Sequence, residues 1–85
     1  MAEDEYKAAV AAFTQALAAE LAGRNILVNA IAPSIIDTPT NRAAMPSADH
    51  VVWPKPEEIA STIAFLASPD NRVTTGAVVP VSGRT

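Results

Sequence analysis

The sequence predicts an α/β fold built on a parallel sheet, in the order helix, strand, long loop, helix, strand. Three observations carry that reading. A helical period over residues 3–21 and another from residue 56 alternate with two short, mostly apolar runs at 26–32 and 77–81. The stretch between those runs is long enough for a helical crossover, so the strands are expected to be parallel and the crossover right-handed. With 49% hydrophobic and 18% charged residues, the chain is too apolar for disorder, and burial somewhere is expected.

In the first helix, Glu3–Leu21, the residues Tyr6, Val10, Phe13, Leu17 and Leu21 recur at alternating helical spacings and form one stripe. Glu3, Asp4 and Glu5 suit the positive end of the helix dipole, and Gly23 with Arg24 and Asn25 supplies a stop. Behind the stripe lie Ala8, Ala11, Ala12, Ala18, Ala19 and Ala22, with Gln15 almost the sole polar interruption. Helix propensity accounts for part of this carpet. A solvated face normally carries Lys and Glu, so the carpet predicts close packing against a second helix.

Residues 26–32, Ile-Leu-Val-Asn-Ala-Ile-Ala, are bounded by Asn25 and Pro33 and fit a parallel strand buried on both faces. From 33 to 55 come four prolines (Pro33, Pro39, Pro46 and Pro54), mixed polar residues and no sustained period, hence a long loop with room for one turn of helix. Loops of this length in compact domains usually carry function or move. Pro56, Glu57 and Glu58 open the second helix, with Ile59, Ile63 and Leu66 as its buried stripe and Ser68-Pro69-Asp70 as its end. Thr75-Gly76 leads into the strand at 77–81, whose Pro80 cannot donate to ladders on both sides and so belongs at a sheet edge. Two strands alone make a poor sheet, which asks for a partner.

Composition removes several classes of function. The net charge is -3 and the six Lys and Arg are scattered, so no basic stripe exists for nucleic acid. Cysteine is absent, which excludes disulfides, thiolate metal sites and thiol catalysis, and His50 alone builds no conventional zinc site. The start is acidic where a secretory leader is basic, and no apolar run approaches the roughly 20 residues that span a bilayer, so a soluble, cytoplasmic chain is expected. At 85 residues the chain is one module over 1–85 that buries only roughly 60 to 65% of its unfolded surface.

Several stretches, taken together and in order, resemble the short-chain dehydrogenase/reductases. They are Lys7-Ala8-Ala9-Val10, then Val28-Asn29-Ala30-Ile31-Ala32-Pro33-Ser34-Ile35-Ile36-Asp37-Thr38-Pro39, then Pro56-Glu57-Glu58-Ile59-Ala60, Thr75-Gly76 and a closing Val81-Ser82-Gly83. The likeness covers nearly all of the chain from Lys7 onward. It implies a C-terminal portion of a Rossmann-like parallel sheet, from a family that uses NAD or NADP to interconvert alcohols and ketones. Two departures stand out. Gly23, Gly76 and Gly83 lie far apart, so no glycine-rich turn can cradle a pyrophosphate.

The family's catalytic tyrosine stands four residues before a lysine. Lys7 matches that lysine, but position 3 is Glu3, and Tyr6 lies about 100° around the helix. The resemblance therefore implies no catalytic residue, only Lys7 as a remnant of the Tyr-x-x-x-Lys motif. Lys7, Pro33, Ile36 and Thr38 are remnant cofactor positions, with Ser34 in place of the usual glycine. Glu3 and Lys7 are expected to form an ordinary helical ion pair worth about 0.3–0.5 kcal/mol.

The segment 40–53 corresponds to the family's variable substrate segment; its Met45, Val51, Val52 and Trp53 are expected to repack into a local core. No chemistry is expected of His50. Ser82-Gly83-Arg84-Thr85 replaces the family's usual Asp-Gly-Gly ending.

The expected function is a non-catalytic module of a short-chain dehydrogenase/reductase whose sheet is completed by self-association. The resemblance implies a homo-oligomer through the first helix and/or the last helix and strand, and no cofactor is expected on the isolated chain. The alternative is one half of a split NAD(P)-dependent oxidoreductase, with an N-terminal half chain supplying the glycine-rich turn and the tyrosine. A small-molecule binder using the loop 45–53 is the weaker third reading.

Overall fold

Two parallel strands with helices on both faces form the architecture of the computed structural model, which describes residues 3–85, Glu3 in its backbone only. Helix α1 is Glu3–Leu21, continued by a 3-10 turn Ala22–Arg24. Asn25 ends it in the left-handed region (φ 60°), a conformation asparagine tolerates. Strand β1 is Ala30–Pro33, helix α2 is Pro39–Ala44, and a 3-10 turn spans His50–Val52. Helix α3, Pro56–Ala67, crosses back to β2, Val78–Val81. The strands pair in parallel from Ala30 opposite Val78 to Pro33 opposite Val81, as the crossover requires.

The first strand is shorter than its apolar run, beginning at Ala30 rather than at residue 26. Side-chain bonds and one isolated backbone bond, not a ladder, tie down the residues before it. Val28 N–H donates to Thr75 Oγ1 (3.0 Å), and Gly76 N–H donates to the Val28 carbonyl (2.7 Å). Asn29 Nδ2 donates to the Thr74 carbonyl (2.8 Å), while its Oδ1 accepts Ala77 N–H (3.1 Å). Gly76 turns the chain into β2 with φ +73°, against Ala18 of α1, so a side chain there is strained by backbone conformation rather than by lack of space.

Asn71 organises the turn between α3 and β2. Its side chain is buried, donates to the carbonyls of Leu66 and Thr74 (both 3.0 Å), and accepts from the N–H groups of Val73 (3.3 Å) and Thr74 (2.9 Å). Every hydrogen-bonding direction of that amide is used.

Helix α1 packs through part of the predicted stripe, Val10, Leu17 and Leu21, rotated so that its two aromatic members fall outside. Val10, Ala11, Thr14, Leu17, Ala18 and Leu21 are its half-buried or buried positions, whereas Tyr6 and Phe13 are 62% and 67% exposed. The cause lies in the sheet, because Ala30 and Ala32 share a strand face with Val78 and let the helix approach closely. Small residues meet small residues. The alanine carpet is thereby divided, Ala11 and Ala18 turning to the sheet while Ala8, Ala12 and Ala19 stay exposed. Thr14, buried among them, returns its hydroxyl to the Val10 carbonyl (2.7 Å).

On the opposite face, α3 starts where proline and two acids placed it, and Glu58 Oε1 accepts the Lys55 N–H (2.9 Å) at its first turn. Ile59 is buried and Leu66 half-buried, but Ile63 is 47% exposed beside a cavity lined by Leu27, Asn29 and Ile31. The loop 33–55 holds two short helical pieces, since Thr38 Oγ1 caps α2 through Asn41 N–H (3.2 Å) with Pro39 at the first position.

Both strands are only half-buried, not covered on both faces as expected from the first run. Ala18, Trp53, Pro54 and Ile59 are the buried apolar residues among those described. The body is flat, 48 × 32 × 18 Å, with a radius of gyration of 15.0 Å; a compact chain of this length has about 12 Å. Its accessible surface of 6055 Å² exceeds the roughly 4,800 Å² expected of a compact monomer of 8.8 kDa. Among the described residues no helix is long and apolar enough to cross a membrane.

Replacing Asn71 by Ala removes both donors and both acceptances at once. We expect the unfolding midpoint in urea to fall by the equivalent of about 2–3 kcal/mol, and a loss within experimental error of zero contradicts this account of the turn.

Candidate functional site

The row Lys7, Val10, Ala11, Thr14, Ala18 runs along the sheet-facing side of α1. Since α1 lies antiparallel to the strands, that row brings Lys7 to the carboxyl end of β1, where ligands bind in open α/β sheets. A cavity of about 570 Å³ opens there. Tyr6, Lys7, Ala8, Val10 and Ala11 line it from the helix, Ile31, Ala32 and Pro33 from β1, and Val78 from β2. Its walls are apolar apart from the Lys7 ammonium and the Tyr6 hydroxyl. Such a lining suits a largely apolar group.

Of the four residues singled out from the sequence, the structure brings two together, Lys7 and Pro33. Ile36 and Thr38 stand further along the same loop and do not line the cavity. Both are engaged with α2: the Ile36 carbonyl accepts Asn41 Nδ2 (2.8 Å), and Thr38 Oγ1 accepts Asn41 N–H. Glu3, at the tyrosine position, has its side chain outside the described residues, and so does the ion pair expected of it with Lys7.

Asp37, between Ile36 and Thr38, fixes the loop at both ends. Its carboxylate takes two bonds from the Arg42 guanidinium, Nε to Oδ1 at 2.5 Å and Nη2 to Oδ2 at 2.9 Å, and its N–H donates to the Pro54 carbonyl (2.9 Å). The hydrogen bonds from Arg42 hold the Asp37 carboxyl below the ordinary carboxylate range. Sequence reading passed over Asn29, Asn41 and Arg42. The Thr38-Pro39 pair, a cap residue before a first-position proline, is the signal from which α2, and with it the roles of Asn41 and Arg42, could have been found.

In segment 40–53 the apolar set divides. Trp53 is buried and Val52 half-buried, as a local core requires, but Val51 and Met45 are 76% and 42% exposed. His50 hydrogen-bonds the Met45 carbonyl through Nε2 (2.8 Å) and tilts against the Trp53 ring, centroids 4.6 Å apart. No group of three or more metal-ligating side chains occurs among the described residues.

Gly23 follows a helix, while Gly76 and Gly83 flank β2; none opens a helix after a strand, so the described residues offer no cradle to a diphosphate.

Comparison with known proteins agrees with this geometry. The family model described as enoyl-(acyl carrier protein) reductase matches residues 4–83. The 3-oxoacyl-acyl-carrier-protein reductase FabG of Thermotoga maritima is 41% identical over 85 residues, which cover 91% of this chain and 35% of that protein. Among solved structures, a short-chain dehydrogenase/reductase of Serratia marcescens superposes with TM-score 0.79 at 34% identity, covering 92% of this chain and 35% of the other. A 3-oxoacyl reductase from Brucella melitensis, solved with bound NAD, superposes with TM-score 0.74 at 37% identity, over 91% of this chain and 30% of its own. With its helices and parallel strands overlaying those of Rossmann-fold enzymes, and spanning about a third of their length, the chain belongs to the short-chain dehydrogenase/reductase family.

Proposed function

We propose that these 85 residues are the part of an NAD(P)-dependent oxidoreductase fold that presents Lys7 and the loop 33–38 to the nicotinamide end of the cofactor, and that alone they neither bind the cofactor nor catalyse its reduction. The observation that carries this reading is the meeting of Lys7 and Pro33 at one cavity without any place for a diphosphate. The ammonium of Lys7 is suited to orient a polar group at the cavity mouth. Four residues before it, where the family places its tyrosine, the sequence has the carboxylate Glu3 instead of a phenol.

In the same proposal the isolated chain self-associates. The accessible surface exceeds that of a compact monomer by on the order of 1,000 Å², and α1 leaves Ala8, Ala9, Ala12, Phe13, Ala16 and Ala19 exposed. Small side chains beside one aromatic suit the close approach of a second α1. A homo-oligomer through this face, or through α3 and β2, follows.

One observation favours the second reading, a split oxidoreductase completed by an N-terminal chain. Ala30 N–H bonds to the Ala77 carbonyl, so by ladder alternation the N–H and C=O of Ile31 point away from β2 toward an unoccupied sheet edge. A partner's parallel strand would pair there. Sedimentation separates the two readings: the first expects a homo-oligomer of the chain alone, whereas the second expects a monomer that acquires mass and activity only with an N-terminal chain.

Two outcomes test the leading proposal. Calorimetric titration of the isolated chain with NADH and with NADPH should show no saturable binding; one-site binding at micromolar concentration contradicts it. Ala12→Glu and Ala19→Glu should force monomers in sedimentation, since a carboxylate in an apolar seam costs several kcal/mol, against a few tenths on a free surface. A wild type that is monomeric, or mutants that associate unchanged, removes this helix face from the proposal.

A further inference from the structure

The residues that follow β2 are tied to both loops at the carboxyl end of the sheet. The Ser34 hydroxyl, the Thr85 hydroxyl and the Ser82 carbonyl form a triangle, with edges of 2.7 Å between the hydroxyls, 3.1 Å from Ser34 Oγ to the carbonyl and 2.6 Å from Thr85 Oγ1 to it. The two hydroxyls carry one proton each, so two of the three edges are hydrogen bonds at any moment and either hydroxyl can donate to the carbonyl or to the other. On the far side, Arg84 N–H donates to the Val52 carbonyl (3.0 Å). Gly83 between them sits at φ +61°, and a Cβ there would stand 2.4 Å from the Val52 carbonyl oxygen and 3.1 Å from Pro54 N. Both are backbone atoms that cannot rotate away, so only glycine fits.

Segment 52–54 is in turn joined to the loop 33–38 by the Asp37 N–H on the Pro54 carbonyl. The three pieces close a ring of contacts: Ser34 to 82–85, 82–85 to Val52, Pro54 to Asp37. Between Val52 and Pro54, the two residues of segment 52–54 that make these contacts, stands Trp53, the sole tryptophan, 4% exposed.

We infer that residues 82–85 act as a clamp on the loop 33–38, with Ser34 and Gly83 as positioning residues that hold it in register with the cavity beside Lys7. The loop follows Pro33 directly, so a shift of Ser34 or Asp37 moves the wall that Pro33 contributes. The functional meaning of the clamp rests on the nicotinamide-facing reading of that loop; the clamp itself rests on the contacts alone. Ser34 thus replaces conformational freedom with a tether.

Acrylamide quenching of Trp53 fluorescence in the full 85-residue chain reads the clamp without any cofactor. Removing one hydroxyl of the triangle in Ser34→Ala or Thr85→Val should shift the equilibrium between closed and open clamp about fivefold toward open, raising the quenching constant while the helical circular dichroism is retained. Ser34→Thr, which keeps the hydroxyl, should quench like the wild type. Gly83→Ala should expose Trp53 more than either. A Trp53 as protected in Ser34→Ala and Thr85→Val as in wild type overturns the clamp, even where Gly83→Ala unfolds the chain. Equal exposure in Ser34→Thr and Ser34→Ala overturns it too, because bulk and not the hydroxyl would then be the cause. Cofactor binding by the isolated chain would defeat the proposed function and leave these quenching results untouched.

Discussion

The parallel pairing of β1 and β2 depends on one carbonyl, that of Thr74, which accepts side-chain amides from two distant parts of the chain. Asn29 reaches it from the start of the first strand and Asn71 from the turn after α3. Parallel strands cannot be joined by a hairpin, and bringing together residues some 45 positions apart costs loop-closure entropy before any ladder bond forms. Asn29 offsets part of that cost with a bond on each side of its amide, one to Thr74 and one to Ala77, so the register is set before the ladder begins at Ala30. Asn71 fixes the other partner, holding Thr74 by both its N–H and its carbonyl.

The site inherits its position from that register. With Ala30, Ala32 and Val78 on one strand face, α1 settles close to the sheet and its Lys7 arrives at the end of β1, next to Pro33. Beyond Pro33 the backbone is handed to a second set of constraints, the cap of Thr38 on α2, the Asp37–Arg42 pair and the tie to Pro54. The cavity is therefore bounded by the helix on one side and by the strands on the other, with Pro33, where the loop begins, at its rim. Sites of this kind owe their precision to the scaffold and their adaptability to the loops.

The same framework explains why so little of the chain is buried. In its relatives the matching region is about a third of the protein, and the other two thirds accompany it. Here the strand edge beyond Ile31, the cavity between that residue and α3, and the outer face of α1 are all uncovered. These are three sides of one incompletely enclosed unit, and its flat shape and large surface are their geometric sum. Hydrophobic burial grows with enclosure, so the stability of such a unit leans on its polar ties more than in a larger domain.

Much of the fold was legible in the sequence because its signals are local. The 3.6-residue period placed α1 and α3 at their observed starts, Pro56 and the two acids after it marked a helix entry, and Pro80 pointed to an edge. The motif around Lys7 and Pro33 named the right family and two residues that share a cavity. What the sequence did not show is which side of α1 would face the sheet. The stripe of Tyr6, Val10, Phe13, Leu17 and Leu21 indicates one face, of which only Val10, Leu17 and Leu21 turn inward; the alanines of β1 admit a close-packed helix face that leaves the aromatics out, and burial follows fit across the interface rather than the size of a side chain. Nor did it show that Ile36 and Thr38 would be engaged by Asn41, or that Gly83 would be pressed against Val52, because those contacts join residues whose local patterns say nothing of each other. Local period and cap chemistry are written in the chain; which face is buried and which loop meets which is decided only when the strands, 48 residues apart, have found their register.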